Sequence, residues 1–267
     1  MFPPTVIVGL HGILKRNPWF DRVVEQDEEG SVEEDLLGLA IDRAGSYGWH
    51  SLTSWLHEDG KVTARHEPTS WAHEEVGGDW TQDGRVHQLA WLQAGVLTDP
   101  PRLGLPVRPI ALVMAETLAR VGTVTFTGLH ALLPLRAAER NTAFRPIELA
   151  PWFGLADPDD RYEVVVAVFC HPQEDAVAVC EAVRGMAQGA VDVSASVAGG
   201  DLPGLELDLD RVLHTEGMRE VMRLSCRTRE WSPDIAVWLV EMVADGLRRA
   251  GRLAPVVVTV SLASAPA

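Results

Sequence analysis

The sequence contains little lysine and lacks the short motifs that mark common catalytic and nucleotide-binding sites. Lys15 and Lys61 are its only lysines, and neither completes the glycine-rich pattern of a phosphate-binding P-loop. There is no Gly-x-Gly-x-x-Gly fingerprint, no serine has glycines two residues before and after it, and His73-Glu-Glu75 lacks the second histidine of a zincin helix. These absences argue against a Rossmann dehydrogenase, an α/β-hydrolase and a zinc protease.

Cysteines and long apolar runs are also scarce. Cys170, Cys180 and Cys226 lie in apolar stretches, and no Cys-x-x-Cys or Cys/His ligand spacing occurs, so we predict buried free thiols in a reducing compartment. No apolar run reaches the roughly 18 residues that a membrane-spanning helix needs. Residues 1–14 lack the basic start and the small-residue cleavage site of a signal peptide. We therefore expect a cytoplasmic protein that does not bind membranes.

The chain has fewer basic than acidic residues, and its formal net charge is −15. A nucleic-acid-binding protein needs Lys and Arg to neutralise phosphates, so this balance argues against nucleic acid as a partner. A negative net charge is typical of an ordinary soluble protein. It would also steer a basic protein partner towards the chain.

What the sequence does contain is a well-specified unit near its end. Ser232 is a typical N-cap residue and Pro233 a typical first residue of a helix. Gly251 is typical of the position just after a helix end. Apolar residues between them recur at intervals of three and four, which predicts one buried helix face. The apolar, β-branched run 255–262 then predicts a buried strand.

A weaker copy of this unit occurs earlier in the chain. Residues 115–122 (Ala-Glu-Thr-Leu-Ala-Arg-Val-Gly) match residues 244–251 (Ala-Asp-Gly-Leu-Arg-Arg-Ala-Gly) in residue class at most positions. In both cases a strand is predicted to follow, at 123–127 in the earlier copy. Two similar units suggest an internal duplication.

The element order extends this idea to the whole chain. From residue 162 onwards we predict strand, helix, strand, strand, helix and strand, the order of a ferredoxin-like βαββαβ unit. The first half fits the same order with a strand at 5–10 and a capped helix at 31–44. We therefore predict an α+β fold of tandem, duplicated ferredoxin-like units. The boundaries are a first unit at 1–133 with an insertion at 46–105, a Pro-rich connector at 134–160, and a second unit at 161–267.

The insertion is unusually rich in histidine and tryptophan, with five of each between Trp49 and Trp91. Imidazoles beside carboxylates can transfer protons, and indoles can line a ligand pocket. A surface insertion packed over the sheet, or a bound metal, would explain the same density. For a pocket, the candidate acid–base residues are His66 and His73, oriented by Glu67 or Glu74, and the candidate ligand-binding tryptophans are Trp55, Trp71 and Trp80.

A second set of candidates follows from the predicted duplication. His11 and His171 each come just after the first predicted strand of a half, and Thr125 and Thr127 lie in the closing strand of the first half. If the two sheets stack face to face, these side chains could line a cavity between the halves. A lone histidine at a strand end is also a common structural residue.

These observations lead to two functional hypotheses. The first is a small-molecule-binding protein or cofactor-independent enzyme whose pocket lies between the halves under the insertion. The second is a non-catalytic acidic protein, such as an inhibitor, immunity or assembly factor, that binds a basic protein partner. Neither predicts a cofactor or a metal ligand set.

Overall fold

The computed structural model describes residues 4–20, 43, 50–56, 62–66, 71–96, 104–137, 155–170, 176–197, 199–207, 215 and 217–264; side chains are described at all of these except 50–56, 62–66 and 71–74. No helix in this part of the chain is long and apolar enough to cross a membrane. The helix predicted at 31–44 falls outside the described residues, apart from Arg43.

The described chain is built on one ten-stranded sheet. Its strands are β1 (Thr5–Arg16), β2 (His50–Leu56), β3 (Val62–His66), β4 (Trp71–Gly77), β5 (His87–Val96), β6 (Gly122–Pro134), β7 (Tyr162–Cys170), β8 (Asp192–Ser196), β9 (Arg219–Thr228) and β10 (Pro255–Leu262). Neighbouring strands are antiparallel throughout. Three helices, α1 (Val107–Val121), α2 (Ala176–Ala187) and α3 (Pro233–Arg249), and a 3-10 turn (Leu135–Ala137) accompany the sheet, and residues 18–20 and 43 are helical as well. The α+β prediction is confirmed.

The two halves of the chain share this sheet side by side. The strand order is β2-β3-β4-β5-β1-β6-β10-β7-β9-β8, so every strand before β6 in this order comes from the first half and every strand after β10 from the second. β6 and β10 pair in the middle, from Pro134 opposite Pro255 to Gly128 opposite Ser261. The expected face-to-face stacking of two sheets is therefore wrong, because the halves join edge to edge.

The Trp/His-rich insertion also takes part in the sheet. β2 pairs antiparallel with β3 and β3 with β4, and β4 pairs with β5, which attaches these strands to the sheet. The insertion thus lengthens one edge of the sheet. Its described strands lie in the sheet itself and do not cover a space between the halves.

The three helices pack on one face of the sheet. α1 lies on β1, β5 and β6, α3 lies on β6 and β10, and α2 lies on β8 and β9. Alternate residues of the central strands point to these helices, among them Val8, Leu129 and Val258, and all three are fully buried. The core therefore continues without interruption across the junction of the halves.

α3 begins and ends as its sequence predicts. The Ser232 hydroxyl accepts a hydrogen bond from the Ile235 amide at 3.3 Å, and Pro233 occupies the first turn. At the other end Gly251 has a φ of +78°, and the amide of Arg252 donates to the carbonyl of Leu247, which is a Schellman motif.

Two strands are longer than predicted, and this affects the candidate site. β1 runs to Arg16, so His11 lies inside the strand and not after its end. β6 runs from Gly122 to Pro134, seven residues beyond the predicted end at Thr127. Residues 128–134 are apolar except for His130 and all buried, and they continue the strand to the start of the predicted connector.

Residues 199–207 lie across the second face of the sheet. Leu202 packs there with Met218 against an apolar patch formed by Ile7, Leu132, Ala167, Phe169 and Val257. We call this side of the sheet the loop-covered face and residues 199–207 the covering segment. The face carries buried polar side chains as well as apolar ones.

Candidate functional site

Two histidines on the loop-covered face form a buried hydrogen-bonded pair. The Nε2 atom of His11 on β1 lies 2.8 Å from the Nδ1 atom of His130 on β6. Their exposed fractions are 0% and 1%. Paired imidazoles at this depth are costly to desolvate, so they require a structural or functional explanation.

The local backbone makes room for this pair. β1 has register irregularities on either side of His11, one towards β5 and one towards β6, and such bulges redirect side chains. Gly9 lies directly opposite His130, and a Cβ atom on Gly9 would lie only 2.1 Å from Cε1 of that ring. The missing side chain of Gly9 is therefore what lets the His130 ring lie over β1.

The hydrogen bonds determine the tautomers of both rings. The backbone amide of Glu206 donates to Nδ1 of His11 at 3.2 Å, so in the neutral ring the proton is on Nε2. His11 then donates from Nε2 to Nδ1 of His130, which places the His130 proton on Nε2. The chain of hydrogen bonds ends in an N–H donor on His130.

This terminal donor has no hydrogen-bond partner among the described residues. An unsatisfied buried polar group costs about 1–3 kcal/mol, so the fold retains it at a real loss of stability. The hydroxyl of Ser261, also buried, has no partner in the same part of the chain. Ser261 pairs with Gly128 and Thr259 pairs with His130, so both orphan groups belong to the seam between β6 and β10.

Burial keeps both imidazoles neutral. It lowers the pKa of His130 from 6.5 to about 4, and it lowers the pKa of His11 well below 6.5, with a further contribution from His130. His130 therefore acts near neutral pH as an uncharged hydrogen-bond donor. Its Nε2 atom cannot accept a proton while His11 donates to Nδ1.

The covering segment is attached to the sheet at three places. Arg223 on β9 donates to the carbonyls of Gly200 at 2.8 Å and Asp201 at 3.3 Å, and it is itself held by both carboxylate oxygens of Glu220. Thr127 donates to the Gly204 carbonyl at 2.7 Å, and Glu206 provides the third attachment through its bond to His11. The segment is thus an integral part of the buried site.

A second group of polar residues lies where the covering segment meets β5. Nδ1 of His87 is 3.3 Å from Oδ2 of Asp79 and 3.2 Å from Oε2 of Glu206, while its Nε2 is 2.8 Å from Oδ1 of Asp83. The His87 side chain is 10% exposed, and the carboxylates are more open to solvent. We call these four residues the His87 cluster.

The carboxylates of the His87 cluster are oriented by the backbone. One oxygen of Asp79 accepts from the Thr81 amide at 2.9 Å, and one oxygen of Asp83 accepts from the Arg85 amide at 2.9 Å. The Gln88 amide donates to Glu206. The hydrogen bond to Asp83 is the main cause that raises the pKa of His87, with the charges of Asp79, Asp83 and Glu206 acting in the same direction.

Glu206 joins the two groups. Its side chain belongs to the His87 cluster, and its backbone amide binds His11. One residue of the covering segment, which comes from the second half, therefore contacts histidines on β1 and β5 of the first half. Asp79, His87 and Glu206 each offer one possible metal-ligand atom, and these atoms lie within 4.8 Å of one another.

Some of the predicted site residues belong to this region. His11 and Thr127 lie at the buried site, whereas Thr125 is exposed on β6. Trp80 donates its indole N–H to the Leu89 carbonyl at 2.8 Å and packs edge-on against Phe20, so it is engaged in the core.

The remaining predictions stay untested. His66 lies on β3 and His73 and Glu74 on β4, but their side chains are outside the described part, as are those of Trp55 and Trp71. Glu67 and His171 fall outside the described residues altogether.

Sequence reasoning missed His130, His87 and Glu206 as members of a site. The residues around His130 are apolar and would suit a buried strand, but no local pattern predicts its pairing with Gly9. His87 was one of several histidines of the insertion with no distinguishing neighbour. Its contact with Glu206 spans 119 residues, which no local spacing can reveal.

Comparison with known proteins adds no family to this description. No protein-family model, curated protein or solved structure matches the chain.

Proposed function

We propose that the protein binds a small molecule on the loop-covered face, at the seam between its halves. The single observation that carries this proposal is the buried N–H of His130, which has no partner in the described part of the chain. A ligand that supplies a hydrogen-bond acceptor would satisfy this donor and recover the free energy that the orphan group costs.

The geometry indicates the chemical type of this ligand. His130 is a neutral donor, because burial keeps its pKa at about 4. A neutral imidazole N–H suits an uncharged or weakly charged acceptor such as a carbonyl or amide oxygen, and the Ser261 hydroxyl on the same seam can donate or accept a further hydrogen bond. The neighbouring patch of Ile7, Leu132 and Val257, which Leu202 and Met218 cover, makes the surroundings of this donor apolar. If the protein is an enzyme, the donor would polarise the carbonyl of a substrate.

A fragment screen tests this proposal. Amides, ketones and carboxylic acids of small size are added to the ¹⁵N-labelled protein, and the side-chain Nε2 resonance of His130 is followed. We expect at least one fragment to shift this resonance and to lose its affinity in a His130→Phe variant, which keeps an aromatic ring but has no N–H. Thr125→Val, an exposed change on the same strand, should bind the fragment as the wild type does. Fragments that bind equally well to all three proteins, or none that reaches His130, would contradict the proposal.

A basic protein partner is the second candidate, and the net charge of −15 supports it. The open carboxylates of the His87 cluster contribute to this charge. Association with such a partner should be fast at low ionic strength and weaken as salt is added. A pull-down from native extract at low salt, followed by a salt titration of the recovered complex, measures this. Recovery of no protein would count against the idea.

We also propose that the halves are duplicated ferredoxin-like units of a cytoplasmic protein. The strand orders β6-β1-β5-β4 and β10-β7-β9-β8 support the duplication, since each places its fourth, first, third and second strands side by side. Cys170, Cys180 and Cys226 are free thiols, which suits a reducing compartment.

A further inference from the structure

We propose that Asp79, His87 and Glu206 bind a divalent transition-metal ion, with zinc as the best fit. The ligand atoms would be Oδ2 of Asp79, Nδ1 of His87 and Oε2 of Glu206. This inference is independent of the ligand proposed at His130.

Two of the three distances between these atoms already match a tetrahedral site. Zinc bonds to imidazole nitrogen and carboxylate oxygen at about 2.0–2.2 Å, so two ligands of a tetrahedron lie about 3.3–3.5 Å apart. Nδ1 of His87 is 3.3 Å from the Asp79 oxygen and 3.2 Å from the Glu206 oxygen. The third edge is no longer than 4.8 Å, so a small rotation of exposed carboxylates completes the site.

The polar atoms of Asp79 and Asp83 are engaged in ways that leave the ligand atoms of Asp79 and His87 available, and Oε2 of Glu206, which also accepts from the Gln88 amide at 3.3 Å, keeps a second lone pair for a metal ion. Asp79 uses Oδ1 for the Thr81 amide, which leaves Oδ2 towards His87. Asp83 accepts from Nε2 of His87 at 2.8 Å and thereby directs Nδ1 at the two carboxylates. This carboxylate–histidine arrangement recurs behind metal-binding histidines because it fixes the ring and increases its basicity.

The local charge also favours a cation. Three carboxylates, of Asp79, Asp83 and Glu206, surround one imidazole, and Arg85 is the cation beside them, 3.6 Å from Asp83. A divalent ion would replace the proton on Nδ1 and balance the remaining negative charge. The group differs from an ordinary surface patch of acidic residues because one of its ligands, the His87 ring, is nine-tenths buried.

The donor set indicates which ion is preferred. One nitrogen and two oxygen ligands suit zinc, whereas magnesium demands near-octahedral oxygen coordination and keeps its waters. Three protein ligands leave at least one position open, as in catalytic zinc sites. The site therefore has room for a water molecule or an anionic group of a ligand.

Isothermal titration of the full-length, chelator-treated protein with zinc chloride tests the site. We expect one equivalent to bind that is lost in His87→Ala and weakened in Glu206→Gln by more than the roughly 10–100-fold typical of an outer-shell change. Magnesium chloride should compete poorly. Glu181→Gln makes the same change at an exposed glutamate elsewhere and should bind zinc as the wild type does.

Asp83 provides a sharper test, because it is a positioning residue and not a ligand. In Asp83→Asn we expect the same stoichiometry with an affinity about 10–100-fold lower. Circular dichroism of each variant checks that it is folded, and Glu206→Gln keeps the size and shape of the side chain if His87→Ala does not fold. Absence of zinc binding by the wild type, or equal stoichiometry and affinity in the His87, Glu206 and Asp83 variants, would overturn the proposal. His130→Phe should bind zinc normally, so the two proposals can fail separately.

Discussion

At the scale of single residues, the contact between Gly9 and His130 decides whether the buried pair can form. The His130 ring occupies the space where any larger residue at position 9 would place its Cβ atom, 2.1 Å from Cε1. Backbone atoms of β1 cannot move away, since β5 and β6 hold the strand on both sides. Glycine is therefore required here by a close approach and not by an unusual backbone angle.

Gly9→Ala should destabilise the protein and displace the His130 ring. Overpacking of a filled core costs about 1–3 kcal/mol, and the hydrogen bond to His11 would be lost or lengthened as well. Urea denaturation measures the free energy of unfolding, and the side-chain ¹⁵N resonances of His11 and His130 report the hydrogen bond.

Gly185→Ala is the matched control for this change. Gly185 lies in α2, and an added Cβ would meet no atom within 4 Å. The same substitution should there increase stability by roughly 0.5–1 kcal/mol, because alanine is the better helix former. If Gly9→Ala were as stable as the wild type and kept the histidine resonances unchanged, our description of the pair would be wrong.

At the scale of elements, local signals predicted α3 and the strand after it. Ser232, Pro233 and Gly251 act on neighbours within a turn, so their effect is contained in the sequence around them. The strand at 255–262 follows from a run of mainly apolar and β-branched residues, which suits a central position in a sheet.

The ends of β1 and β6 were not predictable in the same way. His11-Gly12 resembles a strand end, yet the chain continues through a bulge because β5 and β6 pair with it on both sides. The candidate site depends on these extensions, since His130 lies beyond the predicted end of β6. Glu206 enters the site from a segment without regular structure, and only the three-dimensional fold brings it to His11 and His87.

At the scale of the whole molecule, the buried histidines should make the protein sensitive to mild acid. The pKa of His130 is about 4 in the folded protein and about 6.5 when the chain is unfolded, so the unfolded state binds more protons between these values. Stability should be complete above pH 6.5 and fall as pH drops towards 4, by a total of about 3 kcal/mol from this residue. His11 should add to the fall, since its pKa is lowered too.

Unfolding free energies of the wild type and His130→Gln between pH 4 and 8 measure this contribution. The difference between the two proteins should shrink as pH falls, because the variant has no buried imidazole to protonate at this position. The pKa of His87 is raised, so its contribution to the unfolding free energy changes with pH in the opposite direction. This contribution is the same in both proteins and cancels when their unfolding free energies are subtracted. A difference that does not change with pH would show that His130 is not buried as described.

The pairing of β6 with β10 also keeps these two strands from being edge strands of separate sheets. Both strands are buried over most of their length. If the chain were cut within residues 138–154 and the halves came apart, each strand would become an unpaired edge strand. The unpaired backbone groups of an apolar edge strand can hydrogen-bond to further copies of the chain, which leads to aggregation. Because both halves belong to one polypeptide, β6 and β10 stay paired and neither strand is left as an unpaired edge. The same junction holds His130, Thr259 and Ser261 together.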